Sequence, residues 1–591
     1  MSLNLCLKGK KIGGCLWLVL AILTAEVFAQ PTVTTFLFNG VAAPDGNGQV
    51  TSANAPALND AGQLSFVGNV TGTSGGAADN IGIFRLAGTN LDQIVRGQDS
   101  IPNSADSFSA SFSNPPPINA QGLVAFQGLE SGSLTEAGVY TGSGGSLGVV
   151  ADNSDSPPDG NGTFAAYNGL AINSVSQVAF VGDLVGTTPA NVNRGIYRGD
   201  GSSLIEIARL QDIAPDGNGV FTDLRTPAIN AFGQVAFAAN LSAANATSGV
   251  FRGDGSTLTQ IARDGNPAPA LGGGTNGLFN VLGNDVALNE LGEVAFTSTL
   301  SNTSGGSSDN VGVFRGDSEL TNVMIAREGQ VPSEGNGNFS SFGPPAINSF
   351  GTVAFRATLS GTIGAGVDNH GIYVGDGLGI TTVLRDGTPA HNGIGTFELS
   401  SSLPVINDAG QVGFKAVFRG APASANEGLY FWDPSAGLLK VARKGDAFLG
   451  STITELRWAE RGGSGDLQHS GLNGAAQMAF GFRLANNTEG VAIWSANLTI
   501  IPTGDYDGDG DVDGRDFLLW QRGQSPNNLS PVDLSVWQIR YGSSFPFTSD
   551  GDIAGLKLSD SLKSVPEPHT AVFLAMLGVL IGLQRKASRV C

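Results

Sequence analysis

The chain has 591 residues, of which 31 are basic and 51 acidic, so its formal net charge at pH 7 is −20. A surface this acidic repels nucleic acid and anionic lipid but attracts divalent cations, so we expect no nucleic-acid partner. The 86 glycines, 27 prolines and low share of charged residues, 14%, agree with an all-β protein that is long enough to bury a large core.

Residues 1–29 have the order of regions found in a secretory signal peptide. Lysines precede an apolar run over 12–23, and small residues favour cleavage between Ala29 and Gln30. Cys15 follows small residues as in a lipoprotein acylation box, but the apolar run continues after this cysteine instead of preceding it. We therefore predict an exported protein with a cleaved leader rather than a lipoprotein.

The pattern Asn-x-x-Gly-x-x-Ala-Phe recurs eight times after the leader, at intervals of 54 to 66 residues. Repeats of this length cannot bury their own apolar faces, and they stack into propellers, solenoids or arrays. The copies begin at Asn59, Asn119, Asn173, Asn230, Asn289, Asn348, Asn407 and Asn473.

Each copy has the pattern of four short antiparallel strands. In the fourth copy, residues 230–233 are predicted to form a hairpin turn, because Asn closes a turn with its side chain and Gly tolerates a positive φ. Apolar residues then alternate over 235–241 with the period of a strand. A third strand at 249–252 and a fourth, as at 204–209, complete a unit typical of a propeller blade.

The two ends of the array complement each other. The fourth-strand pattern occurs once before the first Asn motif, over 36–48, and is missing after residues 490–494 of the last copy. A strand from the N-terminus that completes the last blade would close the ring and remove both sheet edges. We therefore predict an all-β fold over 31–500, an eight-bladed β-propeller of four-stranded blades closed by the N-terminal strand. An open β-solenoid is the alternative.

Residues 505–516 follow the pattern of a calcium-binding loop. Carboxylates stand at the first, third, fifth, ninth and twelfth places, with Gly510 at the sixth and Val512 at the eighth, which gives converging hard oxygens and a sharp turn. The seventh place contributes its backbone carbonyl, so its side chain is expected to be an outer charge. With Ca²⁺ as the predicted cofactor, the metal residues are Asp505, Asp507, Asp509, Asp511, Asp513 and Asp516.

A second calcium loop is missing after this one. Residues 524–541 contain instead a helix start at Ser530-Pro531. Because Asp rather than Glu fills the twelfth place, the stretch resembles a degenerate, single-loop dockerin-like module. The resemblance implies a calcium-rigidified stalk over 501–545 and leaves docking to a partner open. A linker over 546–564 follows.

The segment 565–591 contains Pro566, Glu567 and Pro568, then an uncharged and mostly apolar stretch over 570–583, then basic residues. That stretch is predicted to be a C-terminal hydrophobic helix, which is short for a stable span but suits transient membrane insertion with a basic stop. The three parts resemble the PEP-CTERM sorting signal. This implies an exosortase-type sorting enzyme as partner and release or transfer to the cell surface, with a plain membrane anchor as the alternative.

Together the repeats, the calcium loop and the C-terminal signal resemble the NxxGxxAF tandem-repeat, or choice-of-anchor, surface proteins of bacteria over nearly the whole chain. The resemblance implies a repeat architecture and export to the cell surface or extracellular matrix, and it implies no known activity. Copies depart from the pattern at Ser65, Ser176, Gly413 and Ala476. The loss of glycine at Ser176 and Ala476 is expected to alter the turn.

Several other polar groups have a structural interpretation. We interpret His370, His391 and His469 as solvated loop histidines, because they lie near glycines and have no repeated partner. The Asp-Gly-Asn-Gly segments from Asp45, Asp159 and Asp216, with a Glu334 variant, are interpreted as turns rather than calcium sites. The Arg-Gly-Asp tripeptides from Arg198, Arg252 and Arg315 fall in the same repeat turn, which favours hairpin geometry over adhesion.

No catalytic constellation is visible in the sequence. We therefore favour a non-enzymatic surface or matrix protein that binds a glycan or another protein. The alternative is a polysaccharide-cleaving enzyme with its site in the propeller channel, which paired carboxylates or a His–Tyr pair facing that channel would indicate.

Overall fold

A computed structural model describes residues 31–132, 136–242, 247–270, 274–390, 393–460, 470–497, 504, 506, 512–522 and 531–541. The chain divides into two compact units, Met1–Thr503 and Gly504–Cys591. In the described residues of the first unit, strands form eight small antiparallel sheets, one for each copy of the Asn motif.

Four of these sheets, blades 1 to 4, come from the first half of the chain. Strand β1 belongs to another sheet, blade 1 contains β2 to β7, blade 2 contains β8 to β10, blade 3 contains β11 to β14, and blade 4 contains β15 to β19. The strands are β1 (Thr32–Leu37), β2 (Val41–Ala42), β3 (Gln49–Ala53), β4 (Ala57–Leu58), β5 (Leu64–Thr71), β6 (Ile81–Ala87), β7 (Asn90–Arg96), β8 (Val124–Leu129), β9 (Glu136–Gly142), β10 (Gly148–Asp152), β11 (Thr163–Ile172), β12 (Val178–Val185), β13 (Arg194–Gly199), β14 (Leu204–Arg209), β15 (Val220–Leu224), β16 (Ala228–Ile229), β17 (Val235–Ser242), β18 (Ser248–Gly253) and β19 (Leu258–Arg263).

Blades 5 to 8 follow in the same manner. Blade 5 contains β20 to β24, blade 6 contains β25 to β29, blade 7 contains β30 to β34, and blade 8 contains β35 to β38. These strands are β20 (Pro267–Pro269), β21 (Thr275–Leu288), β22 (Val294–Ser301), β23 (Val311–Gly316), β24 (Val323–Arg327), β25 (Asn338–Phe342), β26 (Ala346–Ile347), β27 (Val353–Ser360), β28 (His370–Gly375), β29 (Ile380–Arg385), β30 (Thr396–Glu398), β31 (Val405–Ile406), β32 (Val412–Arg419), β33 (Glu427–Asp433), β34 (Gly437–Arg443), β35 (Ala447–Phe448), β36 (Ser451–Arg457), β37 (Gln477–Leu484) and β38 (Glu489–Ser495).

Blade 3 shows the predicted four-stranded unit, in the order β11-β12-β13-β14. In other blades a shift of register divides the first strand, so that β15 and β16 both pair with β17. In blade 2, isolated bridges such as Ile118↔Val124 replace a regular first strand. The Asn motif joins the first strand of each blade to the second.

The first strand of the chain completes the last blade. β1 pairs antiparallel with β38 from Thr32↔Ser495 to Leu37↔Gly490, so that Val33 lies opposite Trp494. The sheet therefore contains both the beginning and the end of the repeat region, and the ring is closed. The predicted eight-bladed propeller is confirmed, and the alternative of an open β-solenoid is wrong.

The Ala-Phe pair of each motif packs on opposite faces of its blade. Ala236 contacts the apolar cluster shared with blade 5, whereas Phe237 lies in the cluster shared with blade 3. The phenylalanine stacks on Phe251, whose ring also meets Phe221 edge-on at 5.0 Å. Full burial of such a side chain stabilises the fold by about 2 kcal/mol, so the space between blades forms the core of the ring.

The second unit contains two described helices, α1 (Gly514–Gln521) and α2 (Pro531–Arg540). Their aromatic rings pack together, with Phe517 and Trp537 at 4.7 Å between centroids. The helix predicted to start near Ser530-Pro531 is thus confirmed. None of the helices in the described part of the chain is long and apolar enough to cross a membrane. The leader and the segment 565–591, with its predicted hydrophobic helix, lie outside the described residues.

Deleting residues 31–38 removes β1 and should destabilise the whole ring. The deletion exposes the edge of β38 and the cluster that Phe36 and Phe38 share with blades 8 and 1. We expect one cooperative unfolding transition, with a free energy of unfolding lower by about 5 kcal/mol. Circular dichroism melts measure this effect, and removal of 1–29 alone is the control. If the deletion removed only part of the circular dichroism signal and left the melting midpoint unchanged, closure of the ring by β1 would be contradicted.

Candidate functional site

The eight motif asparagines form a closed circuit of hydrogen bonds. Each Nδ2 donates to the main-chain carbonyl oxygen of the asparagine that opens the next copy, at 2.8 to 3.3 Å. Asn473 donates in the same way to Asn59, at 3.0 Å, and so closes the circuit. Because one hydrogen bond links each asparagine to the backbone of the next, the circuit is short, and the motif turns surround the axis of the ring.

The local sequence holds each asparagine in this position. In the fourth copy, the N–H of Gly233 donates to the Asn230 carbonyl and the N–H of Gln234 donates to Asn230 Oδ1, both at 3.0 Å. Gly233 has a φ of 74°, so the segment is a type I turn followed by a left-handed residue, a common hairpin connection. The predicted hairpin is confirmed. In addition to closing this turn, the asparagine side chain joins neighbouring blades.

In six copies the fifth residue of the motif accepts the second hydrogen of the asparagine amide. Asn230 Nδ2 also donates to Gln234 Oε1, at 2.9 Å. In the second copy, Leu123 has no acceptor at this place, and Asn119 donates instead to Ser176 Oγ of the next copy, at 3.1 Å. A fully hydrogen-bonded amide can be buried at little cost.

Two copies keep the turn without glycine. Ser176 and Ala476 take φ values of 68° and 55°, and the N–H of Ser176 still donates to the Asn173 carbonyl at 3.0 Å. The expectation that loss of glycine alters the turn is therefore wrong at Ser176, and Ala476 has the same left-handed φ. The hydrogen bonds of the ring hold these residues in a left-handed conformation that costs an L-residue about 1 kcal/mol.

Arginines at the end of the third strands make a second link between blades. Arg198 and Arg252 donate to the carbonyl oxygens of Gly233 and Gly292, in the Asn turn of the following blade. The aspartate of the same Arg-Gly-Asp segment closes its own hairpin, and the N–H of Ser202 helps to lower the pKa of Asp200 to about 2. The hairpin interpretation of these tripeptides is confirmed.

These arginine contacts also show that the Asn turns lie at the same end of the strands as the hairpins between third and fourth strands. We call this end of the propeller the turn face. The loops between second and third strands, and those between blades, lie at the opposite end, which we call the loop face.

On the loop face, buried arginines neutralise the carboxylates of the Asp-Gly-Asn-Gly segments. Arg96 ends the fourth strand of blade 1 and contacts Asp45 at 2.9 Å and Asp79 at 3.1 Å. Arg209 pairs with Asp159 in the same way. The interpretation of these segments as turns is confirmed. In the described residues, no group of three or more His, Cys, Asp or Glu side chains is placed to hold a metal ion.

Two titratable groups in the ring have unusual surroundings. Burial raises the pKa of the Glu206 carboxyl to about 7, although the Arg209 guanidinium lies 3.6 Å away.

His370 begins β28 and pairs through Nδ1 with Asp386 Oδ2, at 2.9 Å. Asp386 Oδ1 accepts the N–H of Leu399 in the next blade. The interpretation of His370 as a solvated loop residue is wrong, while His391 and His469 lie outside the described residues.

The tips of four consecutive Asn turns carry apolar side chains on the turn face. The third residue of the motif is Val175, Phe232 or Leu291 in copies 3 to 5, with exposed fractions of 59%, 76% and 50%. Phe350 is half-buried in copy 6. We call these four residues the apolar crescent. In the other copies the position holds Ala61, Gln121, Ala409 and Ala475.

Exposed apolar side chains that share a patch mark binding surfaces, so the apolar crescent is the candidate functional site of the propeller. The repeat pattern did not predict this surface, although its signal, an apolar residue at the third place of four turns, is present in the sequence.

Part of the predicted calcium loop can be placed. Asp513 caps α1, and Asp516 in its first turn is fully buried. The Asp516 carboxylate accepts the N–H groups of Tyr506 and Asp513, so it joins the two ends of the loop. This arrangement fits a calcium loop, in which the last carboxylate folds back towards the first residues. Asp505, Asp507, Asp509 and Asp511 lie outside the described residues, as do Ala29, Gln30, Pro566, Glu567 and Pro568.

Replacing Asn230 with Asp tests the hydrogen-bond circuit. The carboxylate keeps the acceptor for Gln234 N–H but loses both donors, and it faces the Asn289 carbonyl without water. We expect a loss of about 3 kcal/mol in the free energy of unfolding at neutral pH. Urea denaturation measures the change, and Asn168→Asp, on an exposed site of β11, should stay within about 0.5 kcal/mol of the wild type. Equal losses in both variants would argue against the circuit.

Comparison with solved structures gives weak likenesses, among them propellers. The propeller domain of the Trilobed protease from Pyrococcus furiosus is 10% identical, with a TM-score of 0.33 over 68% of this chain and 100% of that chain. The Dos1 propeller is 10% identical, with a TM-score of 0.36 over 79% and 94%. An oligogalacturonate lyase in complex with manganese is 12% identical, with a TM-score of 0.35 over 68% and 96%. At these values the likenesses bear on neither activity nor substrate.

No curated protein matches the sequence. A family model, described as a family of unknown function (DUF7453), matches residues 29–248 and again 243–502. The two matches together span the eight-bladed ring. The chain therefore belongs to the DUF7453 family.

Proposed function

We propose that this protein is exported to the cell surface or extracellular matrix, where the propeller is a non-enzymatic binding or structural module for a glycan or protein ligand. The observation that carries the proposal is the turn face, where a closed circuit of asparagines supports exposed apolar tips. A rigid scaffold with a variable exposed surface is suited to recognition, because its binding groups are ordered before the ligand arrives.

The use of the repeated polar groups supports binding over hydrolysis. Near the axis, amides such as those of Asn230 and Gln234 bond to one another and to backbone groups. On the loop face, carboxylates such as Asp159 pair with arginine. General acid–base chemistry on a glycosidic bond requires two carboxyl groups that face the substrate, and the recurring carboxylates instead hold the ring together.

In the second unit we propose a calcium site at the loop 505–516. Asp505, Asp507, Asp509, Asp513 and Asp516 would hold the ion, with Asp511 as an outer charge. Calcium would supply the positive charge that lets these carboxylates approach one another. The buried Asp516, bonded to both ends of the loop, supports this assignment, and bound calcium would stiffen the segment that leads into α1.

Calcium binding can be measured by titration calorimetry on the full chain. We expect one tight site in the wild type and its loss in the double variant Asp509→Asn/Asp513→Asn, because the loop then lacks two of its oxygen charges. The control is Asp285→Asn, which removes an exposed carboxylate of the propeller. Uptake that is unchanged by the double variant would place the ion elsewhere.

The proposed location depends on the C-terminal segment. We propose that an exosortase-type enzyme recognises Pro566, Glu567 and Pro568 after transient membrane insertion of 570–583. The basic residues after 583 would hold the end of the chain on the cytoplasmic side until processing.

The localisation can be tested with Glu567→Ala in a host that contains an exosortase-type enzyme. We expect the variant to accumulate in the membrane fraction with its tail uncut, whereas the wild type is processed and reaches the surface or the medium. Fractionation and mass spectrometry of the C-terminus give the readout, and Lys563→Ala in the linker is the control. Normal processing of the Glu567 variant would reject the sorting signal.

A further inference from the structure

We propose that the apolar crescent docks a basic, amphipathic polypeptide segment, one that presents apolar side chains flanked by lysine or arginine. The inference rests on the proposed function of the propeller as a binding module, and it names the face and the chemical class of the partner.

The apolar crescent is a continuous surface. The turns that carry Val175, Phe232 and Leu291 are consecutive, and each is joined to the next by one hydrogen bond from an asparagine, at 3.0 and 3.1 Å. Their tips are therefore neighbours around the axis. Because the amides below are fixed in the circuit, the four apolar side chains form one ordered patch of the kind that anchors a partner.

Further apolar side chains extend the surface outwards over the same blades. Leu320 lies in the hairpin between the third and fourth strands of blade 5, and Leu378 lies in the equivalent hairpin of blade 6, with exposed fractions of 97% and 94%. Both hairpins belong to the turn face. The matching hairpins of blades 3 and 4 contain serine and threonine instead, as in Ser202 and Thr257. Exposed apolar surface is thus concentrated in one sector of the face.

The charges around the crescent select a cationic partner. Backbone and hydroxyl hydrogen bonds in the hairpins lower the pKa of Asp200 and of Asp254 to about 2, so both are ionised at physiological pH. The hairpins of blades 5 and 6 add Asp317, Glu319 and Asp376. In contrast, Arg198 and its equivalents on this face donate to the backbone of the next blade. The five carboxylates outnumber Arg198, Arg252 and Arg315 on the same blades. The net charge offered to a partner is therefore negative, and complementary positive charge would steer binding.

A polypeptide fits this surface better than a glycan does. Sugar hydroxyls need hydrogen-bonding partners, and the Asn230 amide beneath the crescent already bonds within the circuit. Phe232 exposes one ring, but its neighbours Val175 and Leu291 are branched side chains that do not extend a flat platform on which a pyranose could stack. They pack well against the apolar side chains of an amphipathic helix or strand.

The proposal can be tested with the full chain and three soluble probes. The first is a synthetic peptide of leucine and lysine in a helical amphipathic pattern, the second is the same peptide with glutamate for lysine, and the third is a neutral β-glucan oligosaccharide. Binding is measured by fluorescence anisotropy of labelled probes at low and high salt. The variant is Phe232→Ser/Leu291→Ser, and the matched control is Ile213→Ser, whose side chain is 68% exposed on the loop face.

We expect the lysine peptide to bind the wild type and the Ile213 control within twofold of each other, and the crescent variant roughly tenfold more weakly or worse. Added salt should weaken binding, and the glutamate peptide should not bind. Equal binding to both variants, a preference for the glutamate peptide, or no peptide binding at all would overturn the proposal. Binding of the oligosaccharide that depends on Phe232 would replace the polypeptide with a glycan while leaving the proposed binding function intact.

Discussion

The circuit of motif asparagines is the constraint on which the rest of the ring depends. Each asparagine is buried, and its amide both closes its own turn and donates to the next copy. A buried amide that lost these partners would destabilise the fold by a few kcal/mol, so the eight turns must keep the same position relative to their neighbours. The circuit therefore requires the eight Asn turns to have the same geometry around the axis. It leaves the other loops of each copy free to vary, which explains why the copies differ in length by up to twelve residues.

Closure at the axis is matched by closure through the outer part of the sheet. The bond from Asn473 to Asn59 joins the last copy to the first near the axis, and the pairing of β1 with β38 joins the same two ends of the repeat region through a full strand. Neither link alone removes both the free sheet edge and the exposed core between blades 8 and 1. Together they make the first and last blades equivalent to any other adjacent pair, so the ring has no weak seam from which to unravel.

The features that could be predicted from the sequence are those that depend on residues close to one another along the chain. The alternation of apolar residues and the Asn-x-x-Gly segment indicated strands and turns, and the repeat count with the complementary ends indicated eight blades and closure. The second role of the asparagine could not be seen, because its partner lies 54 to 66 residues away. The pairing of His370 with Asp386 could not be seen either, because 16 residues separate the two along the chain. At Ser176 the hydroxyl accepts a hydrogen bond from Asn119, in another copy, which is information that no local pattern contains.

Within the motif, the residues that build the ring differ from the one that forms its surface. The first, fourth and fifth residues are committed to the turn and the circuit, whereas the side chain at the third place points away from them, as the exposure of Phe232 shows. A substitution there changes the surface without changing the ring. The turn face also places its arginines in contacts with the next blade and leaves hairpin carboxylates outside, while the loop face pairs arginine with aspartate. The turn face therefore exposes more negative charge than the loop face, where the carboxylates are paired with arginine. A cationic partner is attracted to the turn face, which also carries the exposed apolar tips.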